Sequence, residues 1–320
     1  MKGMKIEKIT HKDYGNCLRL SNPSVTIMVS LDYGPRILHF SMNDGPNVMF
    51  FNRDPEYLKK GVDFDRVFYP GAYWNIRGGN RLWIAPHSYP HAFYPDNEPV
   101  EYALLESGSR FTPKPRTQIG AQLSTEVLLD KEAPTVTINQ SVRNISSEPK
   151  KWAAWSITSV DAGGIEIIPL SQKQTGVLPN RQVVYWPYTD IADNRIILRN
   201  RYAVLVHDRN VSAPFKIGFN NDAGWACYVN NGMCLTIRYE HIDQVEYPDF
   251  GVSYETFADD RMVEMEALSP LKILQPGESV SLLEKWNLSA LEIGLGEGNK
   301  MDILKYADSI FSNIGKYPLG

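Results

Sequence analysis

The sequence predicts an all-β fold, a large two-sheet antiparallel sandwich followed by one C-terminal helix. Three observations predict it. Short runs of period-two alternation recur along the chain, Gly, Pro and Asn interrupt them, and no helical periodicity falls between them. A parallel α/β sheet needs a helical crossover between its strands, so that class is excluded.

The predicted strands cover residues 25–30, 36–40, 123–129, 135–142, 151–160, 165–169, 203–207, 215–219, 226–229, 233–239, 262–268 and 279–286. Asn231-Gly232 is a strong hairpin signal and fixes a register with Val229 facing Cys234 and Cys227 facing Thr236. The two cysteines are then diagonal neighbours ~7–8 Å apart, too distant for an unstrained disulfide. With Cys17 they read as small buried hydrophobes. Residues 54–99 lack long alternation and are rich in Tyr, Trp, Pro, Asn and Gly, as functional loop regions are.

Residues 294–298 read as a Gly-rich tether. Beyond them Ile303, Tyr306, Ala307, Ile310, Phe311 and Ile314 follow helical spacing up to Gly315, a ready C′ residue. No linker or repeat divides the first 290 residues, so we expect one β-sandwich domain over 1–290 with a helix over 299–315 packed on it.

Charge and motifs narrow the function. Against 37 acidic residues stand 33 basic ones, a net charge of −4 with no basic block, so nothing attracts a nucleic acid. No apolar run approaches the ~20 residues that cross a bilayer, and no membrane partner is expected. The first residues are charged where a signal peptide is apolar, so the expected location is the cytoplasm. The N-x-[ST] triplets at Asn139, Asn144, Asn210 and Asn287 are then only polar strand ends. Rossmann, Walker, H-E-x-x-H and G-x-S-x-G signatures are all missing, which disfavours hydride transfer, phosphoryl transfer, zinc proteolysis and serine hydrolysis. No cofactor is called for.

Two places concentrate chemistry. The first runs from Trp74 through Asn75, Arg77, Asn80, Arg81, Trp83 and His87 to His91, Tyr94, Asp96, Asn97 and Glu98. Flat rings beside fixed donors and acceptors suit a pyranose, whose C–H faces lie on aromatics while its hydroxyls need hydrogen bonds. The same residue types would also make a Trp- and Pro-stabilised loop with internal ion pairs. The second place is Glu264 and Glu266, two residues and ~6.6 Å apart on one face of a strand. Approaching from one side, they suit a general base with a supporting neighbour better than a glycosidase pair. His39 and His207 read as interior strand residues and His11 as a surface one; His241 lies near Tyr247 and Asp249 and could reach the same site. Nothing in the spacing of His87, His91 and Asp96 compels a metal site.

These residues resemble a family. Glu264-Met265-Glu266-Ala267-Leu268-Ser269-Pro270, then Leu274-Gln275-Pro276-Gly277-Glu278 and Glu284-Lys285-Trp286-Asn287-Leu288, look like the closing strands of galactose mutarotase-like (aldose epimerase-like) proteins. Gly34-Pro35-Arg36-Ile37-Leu38 with Asn47, and Gly78-Gly79 with Trp83, Pro86 and His87, resemble earlier parts of the same superfamily. Spaced short motifs carry the resemblance over most of residues 1–290. It is closest to an uncharacterised branch whose members share G-G-x-R-L-W and P-D-N segments.

The resemblance implies an antiparallel β-supersandwich with a sugar site on its concave face. It also implies a Glu that takes the anomeric proton and a His that protonates the ring oxygen. The Glu carries over to Glu264 or Glu266, with the spacing to Pro270 favouring Glu266. The His does not carry over, because the corresponding strand reads Trp155-Ser156; His87 or His91 would replace it.

The expected ligand is a mono- or oligosaccharide held by Arg77, Arg81, Asn80, Trp74, Trp83, Asp96, Asn97, Trp155 and His241, with Arg81 on the floor opposite Glu266. Arg77 and Arg81 could together hold a phosphate or uronate. Two other readings stand beside mutarotation. One is sugar binding without catalysis; the other is a polysaccharide hydrolase or lyase, with Asp96 or Glu98 facing Glu266.

Overall fold

Strands with one apolar face must bury it, and here two long sheets bury theirs against each other. The structure is a computed structural model describing residues 3–43, 45–291 and 300–314. In spatial order the first sheet runs through Lys5–His11, Gly15–Ser21, Val25–Ser30, Ile37–Met42, Gly79–Ala85, Lys150–Asp161, Met262–Leu268, Tyr254–Ala258, Phe215–Phe219 and Val183–Tyr185. Lys272–Leu274 pairs alongside Lys150–Asp161. The second sheet runs through Ile196–Leu198, Tyr202–Val206, Ile165–Pro169, Trp225–Asn230, Met233–Tyr239, Ser279–Ala290, Thr135–Asn144, Ala121–Leu129, Gly108–Thr112 and Glu101–Leu105. Their central ladders are antiparallel. The architecture is the antiparallel β-supersandwich that the sequence led us to expect, and each of the twelve predicted runs falls on one of its strands.

The interior between the sheets is apolar, with Phe40, Ile84, Phe111, Ile138, Tyr254 and Trp286 among its buried side chains. Polar ties cross it. Gln140 Nε2 donates to Asn80 Oδ1 (2.8 Å), Ser156 Oγ donates to Glu284 Oε2 (2.9 Å), and Tyr254 OH and Thr256 Oγ1 donate to the two oxygens of Glu166. A buried polar group without a partner is costly, so each tie restricts how the sheets can be superposed.

The Asn231-Gly232 turn has φ of 50° and 71°, and the register pairs Val229 with Cys234 and Cys227 with Thr236 as read from the sequence. All three cysteines are free and buried. The helix spans Lys300–Ile314 and sets Ala307 and Ile310 against Ile165, Val204 and Trp225 on the outer face of the second sheet. The expected tether at 294–298 and the cap at Gly315 lie outside the described residues.

One segment departs from expectation in a way that matters. Gly79–Ala85 was read as part of a long loop, yet it is a central strand of the first sheet. It is buried on both faces, and such a strand shows no alternation to read. Its entry depends on glycine. A Cβ on Gly79, where φ is +64°, would come within 2.1 Å of the Ile37 carbonyl oxygen, and one on Gly78 within 2.2 Å of that of Phe50.

Burial pushes Glu166 up to about 8 and Glu284 up to about 7. Each keeps its proton in the folded chain at pH values where the unfolded chain, near the ordinary 4.5, has lost it. Stability contributed below pH 4.5 is therefore lost as pH rises toward 7 and 8. In thermal melts between pH 5 and 8, Glu166→Gln is expected to flatten the decline in melting temperature seen in the parent. An identical slope in both proteins would contradict this account of Glu166.

Candidate functional site

The other face of the first sheet carries the chemistry, and strand register assembles it. Arg81 lies opposite Ile157, Ile157 opposite Glu266, and Glu266 opposite Glu255. One pleat away, Ser159, Glu264, Phe257 and Lys216 make a second row. On the other side Trp83 faces Trp155. Because side chains two apart share a face, five strands deliver these residues to one concave surface.

Five ionisable groups are buried there. Arg81 Nη1 donates to Glu264 Oε1 (2.8 Å), which also accepts from Ser159 Oγ (3.0 Å). Lys216 Nζ donates to Glu266 Oε2 (2.8 Å) and lies 2.7 Å from Glu255 Oε2. The Trp155 indole N–H is a second donor to Glu266 Oε2 (2.8 Å). Aromatic faces complete the cations' surroundings: Arg81 sits 4.5 Å from the Trp83 ring, and Lys216 sits 4.6 Å from Trp155 and 4.7 Å from Trp186.

Charge balance decides the protonation. Two cations face three carboxylates in a place where an unpaired charge is prohibitive, so one carboxyl holds a proton. Burial drives Glu255 well above the usual carboxylate range. Burial also raises Glu266, whereas Arg81 leaves Glu264 below its ordinary value despite burial. Burial would lower Lys216, but Glu255 and Glu266 outweigh it, raise its pKa and keep it cationic. The resting site is thus two ion pairs plus a neutral Glu255.

Above this floor is a cavity of about 430 Å³. Trp74, Trp83, Phe93, Trp155, Tyr188 and Phe257 supply aromatic surface, and Arg81, His87, Lys216, Glu264 and Glu266 supply polar groups. His87 packs in a tilted arrangement 5.5 Å from the Trp155 ring, so that indole lies against the imidazole and gives its N–H to Glu266. Burial lowers His87 to about 4, which makes it neutral at pH 7. Arg81 Nε and Trp74 Nε1, two donors on cavity-lining residues, have no acceptor among the described residues.

The structure gathers Trp74, Arg81, Trp83, His87, Trp155, Glu264 and Glu266 from among the residues singled out in the sequence. It corrects one pairing: Arg81 engages Glu264, and Glu266 engages Lys216.

The remaining residues lie elsewhere. Asn80 points into the sandwich, where it bonds Ser156 and Thr158. Asp96 is the counter-charge of buried Arg36 (2.7 Å), and Glu98 pairs with Lys114 (2.9 Å), so neither stands across the cavity from Glu266. Asn97 accepts from Arg77 (2.9 Å), which stacks on Tyr33 away from the cavity. His91 contacts Ser88 and Trp152 at a separate shallow pocket, and His241 lines a neighbouring cleft. Among the described residues no three His, Cys, Asp or Glu side chains cluster as metal ligands.

Lys216 and Glu255 escaped the sequence reading. Each did leave a signal: a lone charge in a run of apolar and aromatic residues, Phe-Lys-Ile-Gly-Phe and Tyr-Glu-Thr-Phe-Ala.

The sequence matches no protein-family model and no curated protein. Solved structures do match. A galactose mutarotase-like protein from Lactobacillus casei superposes with a TM-score of 0.55 over 85% of this chain and 100% of its own, at 12% identity. Another from Clostridium acetobutylicum gives 0.50 over 91% of this chain and 100% of its own, at 10% identity. A TPR-domain containing protein from Parabacteroides distasonis gives 0.56 at 16% identity over 90% of this chain, which spans only 50% of that protein's length. The chain therefore has the galactose mutarotase-like fold that its motifs resemble.

Lys216→Met leaves Glu266 without its cation and is expected to cost about 3–5 kcal/mol in denaturant unfolding. Adding Glu266→Gln removes the stranded charge, so the double variant is expected to be more stable than Lys216→Met alone. Strictly additive losses in the double-mutant cycle would contradict the pairing.

Proposed function

We propose that this chain binds a sugar in the aromatic cavity and interconverts its anomers, as an aldose epimerase-like isomerase of the cytoplasm. The observation that carries the proposal is the placement of Glu266 and His87 on one cavity, bridged by Trp155. The β-sandwich over 1–290 would be the sugar-binding unit, and no cofactor takes part.

The reaction moves protons only. Glu266 accepts the proton of the anomeric hydroxyl while the bond from the anomeric carbon to the ring oxygen breaks. That electron pair stays on the ring oxygen, which takes a proton from His87. Rotation about the exposed C–C bond and the reverse transfers close the ring on either face of the carbonyl. Trp83 and Trp155 carry the C–H faces, while Arg81 on the floor supplies a guanidinium toward the hydroxyls.

Together the two groups must hold one proton. Turnover needs Glu266 ionised and His87 protonated, and because burial lowers His87 to about 4 that form is scarce at pH 7. The rate is therefore expected to rise as the pH is lowered from 7, until Glu266, whose pKa burial raises, takes up a proton of its own.

Sugar binding without catalysis is the competing reading. It is favoured by Glu266 Oε2 being engaged by both Lys216 and Trp155. Hydrolysis is disfavoured, because among the described residues Glu264 and Glu266 are the only carboxylates lining the cavity and they share one strand.

Polarimetry or exchange NMR on freshly dissolved single anomers tests the proposal. Glu266→Gln is expected to lower the rate ~10²–10⁴-fold with much smaller change in sugar affinity. Arg81→Ala is expected to act mainly on affinity, provided its melting temperature shows a folded protein. Binding by the parent with no acceleration of anomerisation would leave the binding-only reading in its place.

A further inference from the structure

Beside the aromatic cavity lies a larger, more open cleft of about 820 Å³. The two meet at consecutive residues, since Pro86 lines the cleft and His87 the cavity. One strand also leads from floor to floor. Lys216 lies under the cavity and Asn220, which lines the cleft, follows four residues later, about 13 Å along an extended chain. That distance exceeds a single pyranose but suits linked rings.

The cleft carries its own aromatic platform. Phe250 is 89% exposed and sits on the cleft wall with φ of 65°, next to Asp249 with φ of 49°. Left-handed backbone at a bulky residue is rare and costly, and such strain is kept where a ligand uses it. A ring so far out in water packs on little among the described residues, yet it offers the flat apolar surface that a sugar ring's C–H face requires. Asp249 adds a polar group: its Oδ2 is buried and has no hydrogen-bond donor among the described residues. Around the cleft Asp243 pairs with Lys173 and Glu246 with Lys151, so Asp222 and Asp249 are the surplus charge, a balance that repels anions and suits hydroxyl donors.

We propose that this cleft is a second sugar subsite and that the physiological ligand is a neutral oligosaccharide, with one terminal ring in the aromatic cavity and the following rings running across Phe250. The proposal rests on the reading of the aromatic cavity as a sugar site. It accounts for the cleft being open at the surface while the cavity is narrow and aromatic: only the end of the chain needs enclosure.

Isothermal titration calorimetry with glucose, galactose and mannose, and with the linear di- and trisaccharides of each, tests it on the intact protein. For the sugar that binds, the trisaccharide is expected to bind at least tenfold more tightly than the monosaccharide. Phe250→Ala, and separately Asp249→Asn, should remove most of that gain and leave monosaccharide affinity within twofold of the parent. Equal affinity of the parent for mono- and trisaccharide, or a gain that survives both substitutions, overturns the second subsite while the aromatic cavity stands. Absence of binding by every sugar of every length overturns both readings together.

Discussion

Lys216 takes a full positive charge into a place that water barely reaches, on a strand otherwise built of Phe, Ile and Gly. Isolated, that charge would cost several kcal/mol, so the fold must bring it a counter-charge and polar company. The neutral carboxyl of Glu255 comes from the adjacent strand and the ionised one of Glu266 from the strand beyond, both within 2.8 Å. Arg81 repeats the device with Glu264 across an intervening strand. Satisfying both cations at once ties five neighbouring strands to one register, because slipping any of them by a residue would send its ionisable group, or on the intervening strand Trp155 and Ser159, to the apolar side.

The same constraint shapes the chemistry. A carboxylate held by two donors on one oxygen is oriented before any ligand arrives, which is the condition for an efficient base or a selective acceptor. The tryptophans serve both purposes: Trp83 and Trp155 shield the cations and present their surface to the cavity. Trp155 stands where the resemblance led us to expect a histidine, and its indole N–H is committed to Glu266. Any proton for a ring oxygen must come from elsewhere on the wall, and His87 is the histidine that lines it.

Much of this was legible in the sequence, and the illegible parts share a physical cause. Strands that face solvent on one side, such as Ala121–Leu129 and Thr135–Asn144, alternate openly between buried and partly exposed residues. The strands that build the site are buried on both faces, and their polar residues look to a periodicity argument like loop or surface. Gly79–Ala85 therefore passed for loop while its Arg81 and Trp83 were still picked out by type. Lys216 was not singled out, because a lone lysine in a strand is usually solvated and gives no sign that it is buried. Asp96 and Asn97 looked like ligand groups, but Arg36 and Arg77 claim them, a partnership decided by tertiary contacts across 60 and 20 residues of sequence.

The central claim is that these paired charges and tryptophans form a preorganised sugar site. A crystal structure of the protein soaked in a binding monosaccharide tests it most directly. The account predicts a ring lying on Trp83 and Trp155, with hydroxyls in hydrogen-bond reach of Glu266 and Arg81 and both ion pairs still closed. A sugar bound elsewhere on the surface, or an Arg81–Glu264 or Lys216–Glu266 pair that opens to admit it, would contradict the account.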